Sequence, residues 1–496
     1  MSPGSFLDDV RAALDLASDV YRGTPGEATV RELRARLDEP LRVAIAGKVK
    51  AGKSTLLNAL VGDELAPTDA GECTRFVWWF HDGITYRAVL HPRRGDPVPV
   101  RFTRQSGAIE VDLGGVAPGD IDHLDVEWPS AALRTMTLID TPGIASATPE
   151  LAAAARDFLA PEDGRTTPAD AVLYLMRHVH PADVRFLEAF HDDEYARPNP
   201  LNTIAVLSRA DELGVARPDA MESAERVAAR YREDRKLRRL CQAVVPVAGL
   251  LAQAAGTLRE EEFRLVGQLA ALPAAGLDDL LLSVDRFSAT PSTVPAEQRA
   301  ELLRRLGLFG VRLACSLVGT GRATTARQLS AALLEASRIG DLRDLLATQF
   351  TARRDLLKGR AVLLALGAHV QRCPVPGSGA LDVAIERIES SAHELAEVRL
   401  LNALRTGAVP MRDADRLDAE RLLGGDGADA HHRLGLEADA GASAIADAVS
   451  AALARWQRRA ENPLAPAATV DAARVVVRTC EAMATRLRGQ PGPPAA

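Results

Sequence analysis

Hydrophobic and polar positions change their period twice along this chain. From residue 5 to 38 the apolar positions recur at helical spacing, with Leu7, Val10, Leu14, Ala17 and Tyr21 on one face. Ser5 with Asp8 resembles a capping box and Gly23 ends the run, while Thr29 with Glu32 repeats the signal and Pro40 closes a second helix. Between 41 and 250, short apolar runs alternate with helical patterns. Strands are predicted at 41–46, 76–82, 84–91, 98–104, 124–128, 136–140, 171–177, 203–208 and 243–248, and helices at 150–159, 181–191 and 217–239. This alternation predicts an α/β fold, a doubly wound and mostly parallel sheet with ligand loops at the carboxyl ends of its strands. Residues 76–130 carry consecutive strands and turns such as Arg93-Arg94-Gly95-Asp96, and read as an antiparallel extension.

Beyond about residue 290 the strand signal stops and helical stripes take over. Asp341 begins a run with Leu342, Leu345, Leu346 and Phe350 on one face, followed by Leu356 and Leu357. Leu381, Ile385, Ile388, Ala392 and Leu395 step by four and three, a short coiled-coil-like seam. Ile445, Val449, Leu453 and Trp456 form another stripe, as do Val476, Cys480, Met483 and Leu487. Breaks fall at 374–379, 424–427 and 462–466. The predicted organisation is a head over 40–290 joined to an elongated all-α antiparallel bundle over 291–489. The helices of 1–39 would pack on helices from the far end of the chain as a neck, and the proline-rich 490–496 is expected to be a disordered tail.

The sharpest chemistry lies at 47–55, Gly-Lys-Val-Lys-Ala-Gly-Lys-Ser-Thr, where a buried strand stops and a helical stretch opens. Gly47 and Gly52 let the backbone N–H groups through Lys50, Ala51 and Thr55 turn inward around a phosphate, and the helix adds its positive end. Lys53 can reach the β and γ phosphates, and the Ser54 hydroxyl can ligate Mg²⁺. Asp140-Thr141-Pro142-Gly143 follows the strand at 136–139, so Asp140 can hold Mg²⁺ through water and the Gly143 N–H can meet a γ-phosphate. Ser208-Arg209-Ala210-Asp211 follows the strand at 203–207. The Asp211 carboxylate is suited to accept both N1–H and N2–H of guanine, a donor pair adenine lacks, so this motif selects GTP. Its usual form is (Asn/Thr)-Lys-x-Asp; Ser208 and Arg209 depart from it, although the stem of Arg209 can still cover a base. Thr74, immediately before a strand, is the expected Mg²⁺ ligand and positioner of the attacking water, with Thr68 the runner-up. Ala248 ends a strand where backbone would contact guanine.

Composition narrows the partners. Hydrophobic residues are 47%, charged residues 26% and aromatics 4%, which suits a helix-leaning globular chain. A net charge of −7 argues against a whole-molecule polyanion binder, and no nucleic-acid partner is expected. Five scattered cysteines without a C-x-x-C pair fit reduced thiols in a cytoplasmic protein, and the acidic N-terminus lacks the order of a signal peptide. Residues 240–258 are uncharged but hold Pro246, Gly249 and Gly256, and read as strand, loop and buried helix.

The order of these motifs, the Gly71-Glu72-Cys73-Thr74-Arg75 before a strand, the long insertion between the loops and the helical arms at both ends resemble the dynamin superfamily. The resemblance implies a GTPase that works with Mg²⁺ and converts GTP to GDP. It also implies head-to-head pairing as a homodimer, or a mixed assembly with a dynamin-like paralogue. A helical neck and trunk would bind anionic membrane lipid peripherally, on the inner face of the plasma membrane, and remodel or fuse it. One departure stands out: eukaryotic dynamins carry Gln-Ser where Val49-Lys50 stand here. Val49 cannot orient water. Lys50 is expected either to supply, as a catalytic group, the positive charge that a monovalent cation provides in the family, or to stand as a solvated lysine or one that salt-bridges across a head–head interface.

Other features read more plainly. His178 and His180 lack a clustered third metal ligand, and His431-His432 lies in an exposed connection. Arg353, Arg354, Lys358 and Arg360, with Arg455, Arg458 and Arg459, are candidate lipid-headgroup contacts on otherwise solvated helix faces. Gly307-Leu308-Phe309-Gly310 reads as a hinge or helix contact. The rival to a membrane mechanoenzyme is a regulatory GTPase switch that recruits a protein or RNA partner.

Overall fold

The computed structural model describes residues 6–66, 76–105, 108–143, 158–159, 166–179, 183–184, 187–188 and 200–489. Thr68, Thr74, Ser5, His180, the tail at 490–496 and most of the helices expected at 150–159 and 181–191 lie outside the described residues. An arm of α1 (Phe6–Val20) and α2 (Glu27–Asp38) leads into β1 (Leu41–Gly47) and α3 (Lys53–Val61). The strands that follow are β2 (Val77–His81), β3 (Arg87–Pro92), β4 (Val98–Val100), β5 (Phe102–Gln105), β6 (Ala108–Val111), β7 (Ile121–Glu127), β8 (Met136–Asp140), β9 (Ala171–Met176) and β10 (Thr203–Ser208). Then come α4 (Ala220–Glu233), α5 (Arg235–Leu240), β11 (Ala243–Val247) and α6 (Gly249–Gly256). The rest is helical: α7 (Glu260–Ala270), α8 (Ala274–Leu280), α9 (Val284–Ala289), α10 (Ala296–Gly319), α11 (Ala326–Ser337), α12 (Ile339–Leu345), α13 (Arg354–Arg372), α14 (Gly379–Ser391), α15 (His393–Thr406), α16 (Asp413–Leu422), α17 (Ala430–Leu434), α18 (Ala442–Ala460) and α19 (Ala467–Gly489).

Nine strands form one sheet in the order β11-β10-β9-β1-β8-β2-β7-β3-β4, and β5 pairs with β6 apart from it. The mixed sheet is mostly parallel where the motifs sit: β1 runs parallel to β8 and β9, and β10 to β9 and β11. Period-2 alternation sends Leu41, Val43 and Ile45 to one face and Ala44 and Ala46 to the other, so both faces of β1 are covered. The extension differs from the antiparallel reading, because β2 pairs antiparallel with β8 but parallel with β7. The chain between β2 and β7 contains four strands, long enough for the crossover that a parallel pair needs.

Several helical expectations shift. The second arm helix begins at Glu27 with Gly26 as its N-cap, so Thr29 sits inside it rather than capping it. Arm residues Val10, Leu14, Tyr21 and Val30 share a core with Val362, Leu366, Leu381 and Ile388 of α13 and α14, whereas α18 and α19 build a separate core with α15 and α16. The seam from Leu381 to Leu395 is not one helix: Ala392 is extended and divides α14 from α15. Stretch 240–258 is strand, turn and helix as read, and no described helix is long and apolar enough to cross a membrane.

The basic clusters are a correction. Lys358 is 0% exposed and Arg353 5%, the latter bonded to the Gly424 carbonyl. Arg455 holds Asp418 at 2.9 Å, and Arg459 pairs with Asp415 while lying over the Trp456 ring. Lys358, Arg353, Arg455 and Arg459 are each engaged by a carboxylate or carbonyl of this chain, so they offer little to a headgroup. Arg458 remains exposed.

Candidate functional site

Parallel pairing brings the motif loops to one edge. Register sets Ile45 beside Asp140, Gly47 beside Leu175, Leu207 beside Met176 and Ser208 beside Val247. The loops after β1, β8, β9, β10 and β11 therefore leave the sheet together, the crevice where α/β folds bind ligands.

Backbone conformation shapes the first loop. Gly47 has φ +148 and a Cβ there would stand 2.5 Å from the Leu175 carbonyl oxygen, so only glycine fits. Gly52 is left-handed (φ 92) and caps α3, leaving the first amides of that helix, those of Lys53, Ser54 and Thr55 among them, directed at the loop. Ala51 is buried and its N–H closes a turn onto the Lys48 carbonyl at 3.1 Å. Lys50 is exposed and also left-handed (φ 62), an uncommon conformation outside glycine. Lys53 is buried at 8% exposure.

The Ser54 hydroxyl donates to Asp140 Oδ2 at 2.7 Å, joining the start of α3 to the end of β8. Thr141 is tied to β1 through its hydroxyl, which donates to the Ile45 carbonyl at 2.9 Å. Gly143 then lies against the phosphate loop: a Cβ there would be 2.4 Å from Val49 Cγ2 and 2.8 Å from the Val49 nitrogen. The two loops thus touch backbone to backbone, and a hydroxyl and a carboxylate of the kind that hold a hard divalent cation stand side by side.

On the other side of β1, Ser208 donates to the Met176 carbonyl at 3.3 Å. Arg209 is left-handed (φ 54) and its guanidinium pairs with Glu212 three residues on. Asp211 is 5% exposed, and burial pushes its carboxyl up to about 6. Ala248 is fully buried, its N–H bound to the Ser337 carbonyl, and a Cβ on the next residue, Gly249, would lie 3.8 Å from Thr55 Cγ2. The base-side residues and the phosphate loop are therefore contiguous.

Sequence reasoning missed three sets of contacts around these loops. Lys48 binds Asp183 at 3.0 Å, and Asp183 also accepts from the Tyr174 hydroxyl at 2.8 Å. Arg177, at the end of β9, donates to the Lys50 carbonyl at 3.5 Å. Gly307 interrupts α10 with φ 66, and a Cβ there would stand 3.7 Å from Asp211 Oδ2. Lys48 lies within the 47–55 loop and Gly307 within the segment read as a hinge or helix contact, but their partners Asp183 and Asp211 are set by the fold and not by local sequence. Exposed His178, by contrast, joins no cluster among the described residues.

Known proteins resemble this chain along the same residues. A family model described as "Dynamin family" matches residues 43–85, from β1 through the phosphate loop to just past the end of β2. Isoniazid-induced protein IniC of Mycobacterium tuberculosis is 40% identical over 488 residues, 97% of this chain and 98% of its own. A bacterial dynamin-like protein of Nostoc punctiforme is 27% identical over 164 residues, 30% of this chain and 22% of its own. A solved structure described as an oligomerised bacterial dynamin pair overlaps 97% of this chain and 74% of its own at 12% identity, with a TM-score of 0.32.

Proposed function

Because this chain belongs to the family of bacterial dynamin-like GTPases that includes IniC, we propose that it binds GTP at the carboxyl edge of its sheet and hydrolyses it to GDP. The observation that carries this reading is the Ser54–Asp140 bond at 2.7 Å, which makes one site of two motifs distant in sequence. Lys53 and the amides of residues 47–55 would hold the phosphates. Asp211 would accept the two guanine N–H donors, with Ser208, Arg209 and Ala248 framing the base. The residues fit a hard cation: Ser54 and Thr74 would hold Mg²⁺ directly and Asp140 through water. When bound, that ion would neutralise charge developing on the β–γ oxygens. Thr74 would also position the attacking water and Lys50 would add positive charge.

Gly143 would report loss of the terminal phosphate to the rest of the head, because its loop already rests on Val49. Head pairing, between two copies or with a dynamin-like paralogue, would complete the catalytic surroundings. We assign the helical part to peripheral work on anionic lipid at the inner face of the plasma membrane. The turn between α18 and α19 is our choice for the lipid contact, since Leu464 there is 92% exposed and Arg458 lies nearby in sequence.

Purified protein tests this directly. GTP turnover with Mg²⁺ is expected for the parent and lost in Lys53→Ala, and anionic liposomes should co-sediment the parent in a nucleotide-dependent way. Turnover that is absent, or equal in Lys53→Ala, refutes the GTPase reading. Turnover without lipid binding in any nucleotide state refutes the membrane reading and favours the regulatory switch.

A further inference from the structure

Three histidines converge on one carboxylate at the far part of the sheet, away from the nucleotide loops. Alternation dictates where they point: Leu124 and Val126 of β7 enter the core, so His123 and Asp125 face the opposite side. In β3, His91 stands directly across from His123, their rings stacked at 4.2 Å. His91 Nε2 is 2.9 Å from Asp125 Oδ2, His81 Nε2 is 3.0 Å from Oδ1, and His123 Nε2 is 3.7 Å from Oδ1. His123 turns its other nitrogen, Nδ1, to Asp122 Oδ2 at 2.8 Å.

That last bond decides the tautomer. An ionised carboxylate only accepts, so Nδ1 carries the proton, and a neutral His123 ring presents the Nε2 lone pair to the oxygens of Asp125. Two electron-rich groups then face one another beside a second imidazole, an arrangement that a cation resolves. A carboxylate gripping the outer nitrogen of an imidazole is also how metal-binding histidines are oriented.

We propose that His91, His123 and Asp125 bind a divalent transition-metal ion of the zinc class. Imidazole and carboxylate donors suit such an ion, and three protein ligands leave a fourth position for water. The three donor atoms lie within 4.8 Å of one another. Ligands of tetrahedral zinc stand roughly 3.4 Å apart, so rotamer adjustments of about an ångström close the site. The side chains are 20 to 28% exposed, which gives the ion a path in. His81 holds Asp125 from outside, and Asp122 does the same for His123. The bound ion staples β3 to β7, and through His81 it steadies β2. The site stands independently of the nucleotide reading.

The test uses untagged full-length protein, stripped with chelator and then held in excess Mg²⁺ and GDP so that the phosphate loop does not compete. Calorimetric titration with Zn²⁺ is expected to give one ion per chain at micromolar affinity or tighter. His91→Gln and His123→Gln should each weaken it at least about tenfold, Asp122→Asn by about tenfold, and His432→Ala not at all. Co²⁺ should give the intense visible absorption of a tetrahedral ion in the parent and lose it in His91→Gln/His123→Gln. Circular dichroism and thermal melting in chelator equal to the parent's establish that the variants are folded. Absence of the tetrahedral Co²⁺ spectrum in the parent, Zn²⁺ binding weaker than roughly 100 μM, or binding unchanged in the double variant overturns the proposal.

Discussion

Asp211 is a costly residue to keep. It is 5% exposed, and burial, reinforced by Glu212 and only partly offset by its own amide and Arg209, raises its carboxyl to about 6. For a carboxyl displaced upward the sign is unfavourable to the fold: stability is intact below the ordinary value of 3.8 and is lost as pH rises through about 6. The displacement from 3.8 to about 6 is worth about 3 kcal/mol. Asp211→Asn, melted without nucleotide, should therefore be the more stable protein at pH 8, with the gap closing toward pH 4. The same variant should bind GTP at least tenfold more weakly, because an amide N–H then meets the guanine donors. Xanthosine triphosphate competition reads the altered preference. Equal melting at pH 8 would mean that another group compensates the charge. Lys50 makes a second residue-scale case. Its left-handed φ of 62 holds the exposed side chain on the phosphate loop, with Arg177 on its carbonyl. If its ammonium stands in for a monovalent cation, GTP turnover should be equal in sodium, potassium and choline buffers. Lys50→Ala should lose roughly tenfold in turnover with GDP affinity kept. Strong cation dependence in the parent counts against it.

At the scale of elements, the contact between the loop after β8 and the loop after β1 is the one most open to a single change. A methyl at Gly143 would overlap Val49, including its backbone nitrogen at 2.8 Å, so the loops must part. Gly143→Ala should keep GDP affinity within a few-fold, since residues 47–55 are untouched, yet lose about a hundredfold in single-turnover hydrolysis. Unchanged turnover would show that the loop yields at no cost. Elements such as these were legible because each motif follows a run whose period is read along one strand: β1, β8 and β10 were expected at 41–46, 136–140 and 203–208 and are found at Leu41–Gly47, Met136–Asp140 and Thr203–Ser208. What depends on pairing between strands was not. The parallel β2–β7 pair, the short β6, and the meeting of His81, His91 and His123 on Asp125 follow from register across long connections, and local sequence carries no trace of register. Burial misled for the same reason. Lys358 reads as a solvated lysine because its partner, Asp170, lies 188 residues away in the chain.

At the scale of the whole molecule, that same pair shows how head and helices are joined. Ile339, Leu342, Leu346, Phe350 and Leu357 share a core with β1, β2, β7 and β8, so the helical path out of the head begins inside it. Between α12 and α13 the path passes through a π turn at Leu346–Phe350 and a 3₁₀ turn at Thr351–Arg353, the kind of irregularity that marks hinges. Just beyond it, fully buried Asp170 at the foot of β9 accepts from Arg36 of the arm at 2.6 Å, from Lys358 of α13 at 3.3 Å and from the Arg42 amide at 2.9 Å. Burial alone would raise this carboxyl, but Arg36 and Lys358 outweigh it and hold it below its ordinary value. Its stabilising contribution is therefore present above 3.8 and lost as pH falls through the lower folded value. Asp170→Asn leaves a guanidinium and an ammonium buried with a weakened partner, which should cost about 3–5 kcal/mol at pH 7 and progressively less in acid. Lys358→Met in the same background should recover part of that loss, because it removes one of the stranded charges; the two effects are coupled and will not add. Thermal melts of the two single variants and the double variant against pH close the cycle. A double variant no more stable than Asp170→Asn would mean that Lys358 is held by the Pro40 carbonyl, which it meets at 3.0 Å, and that the junction does not depend on the carboxylate.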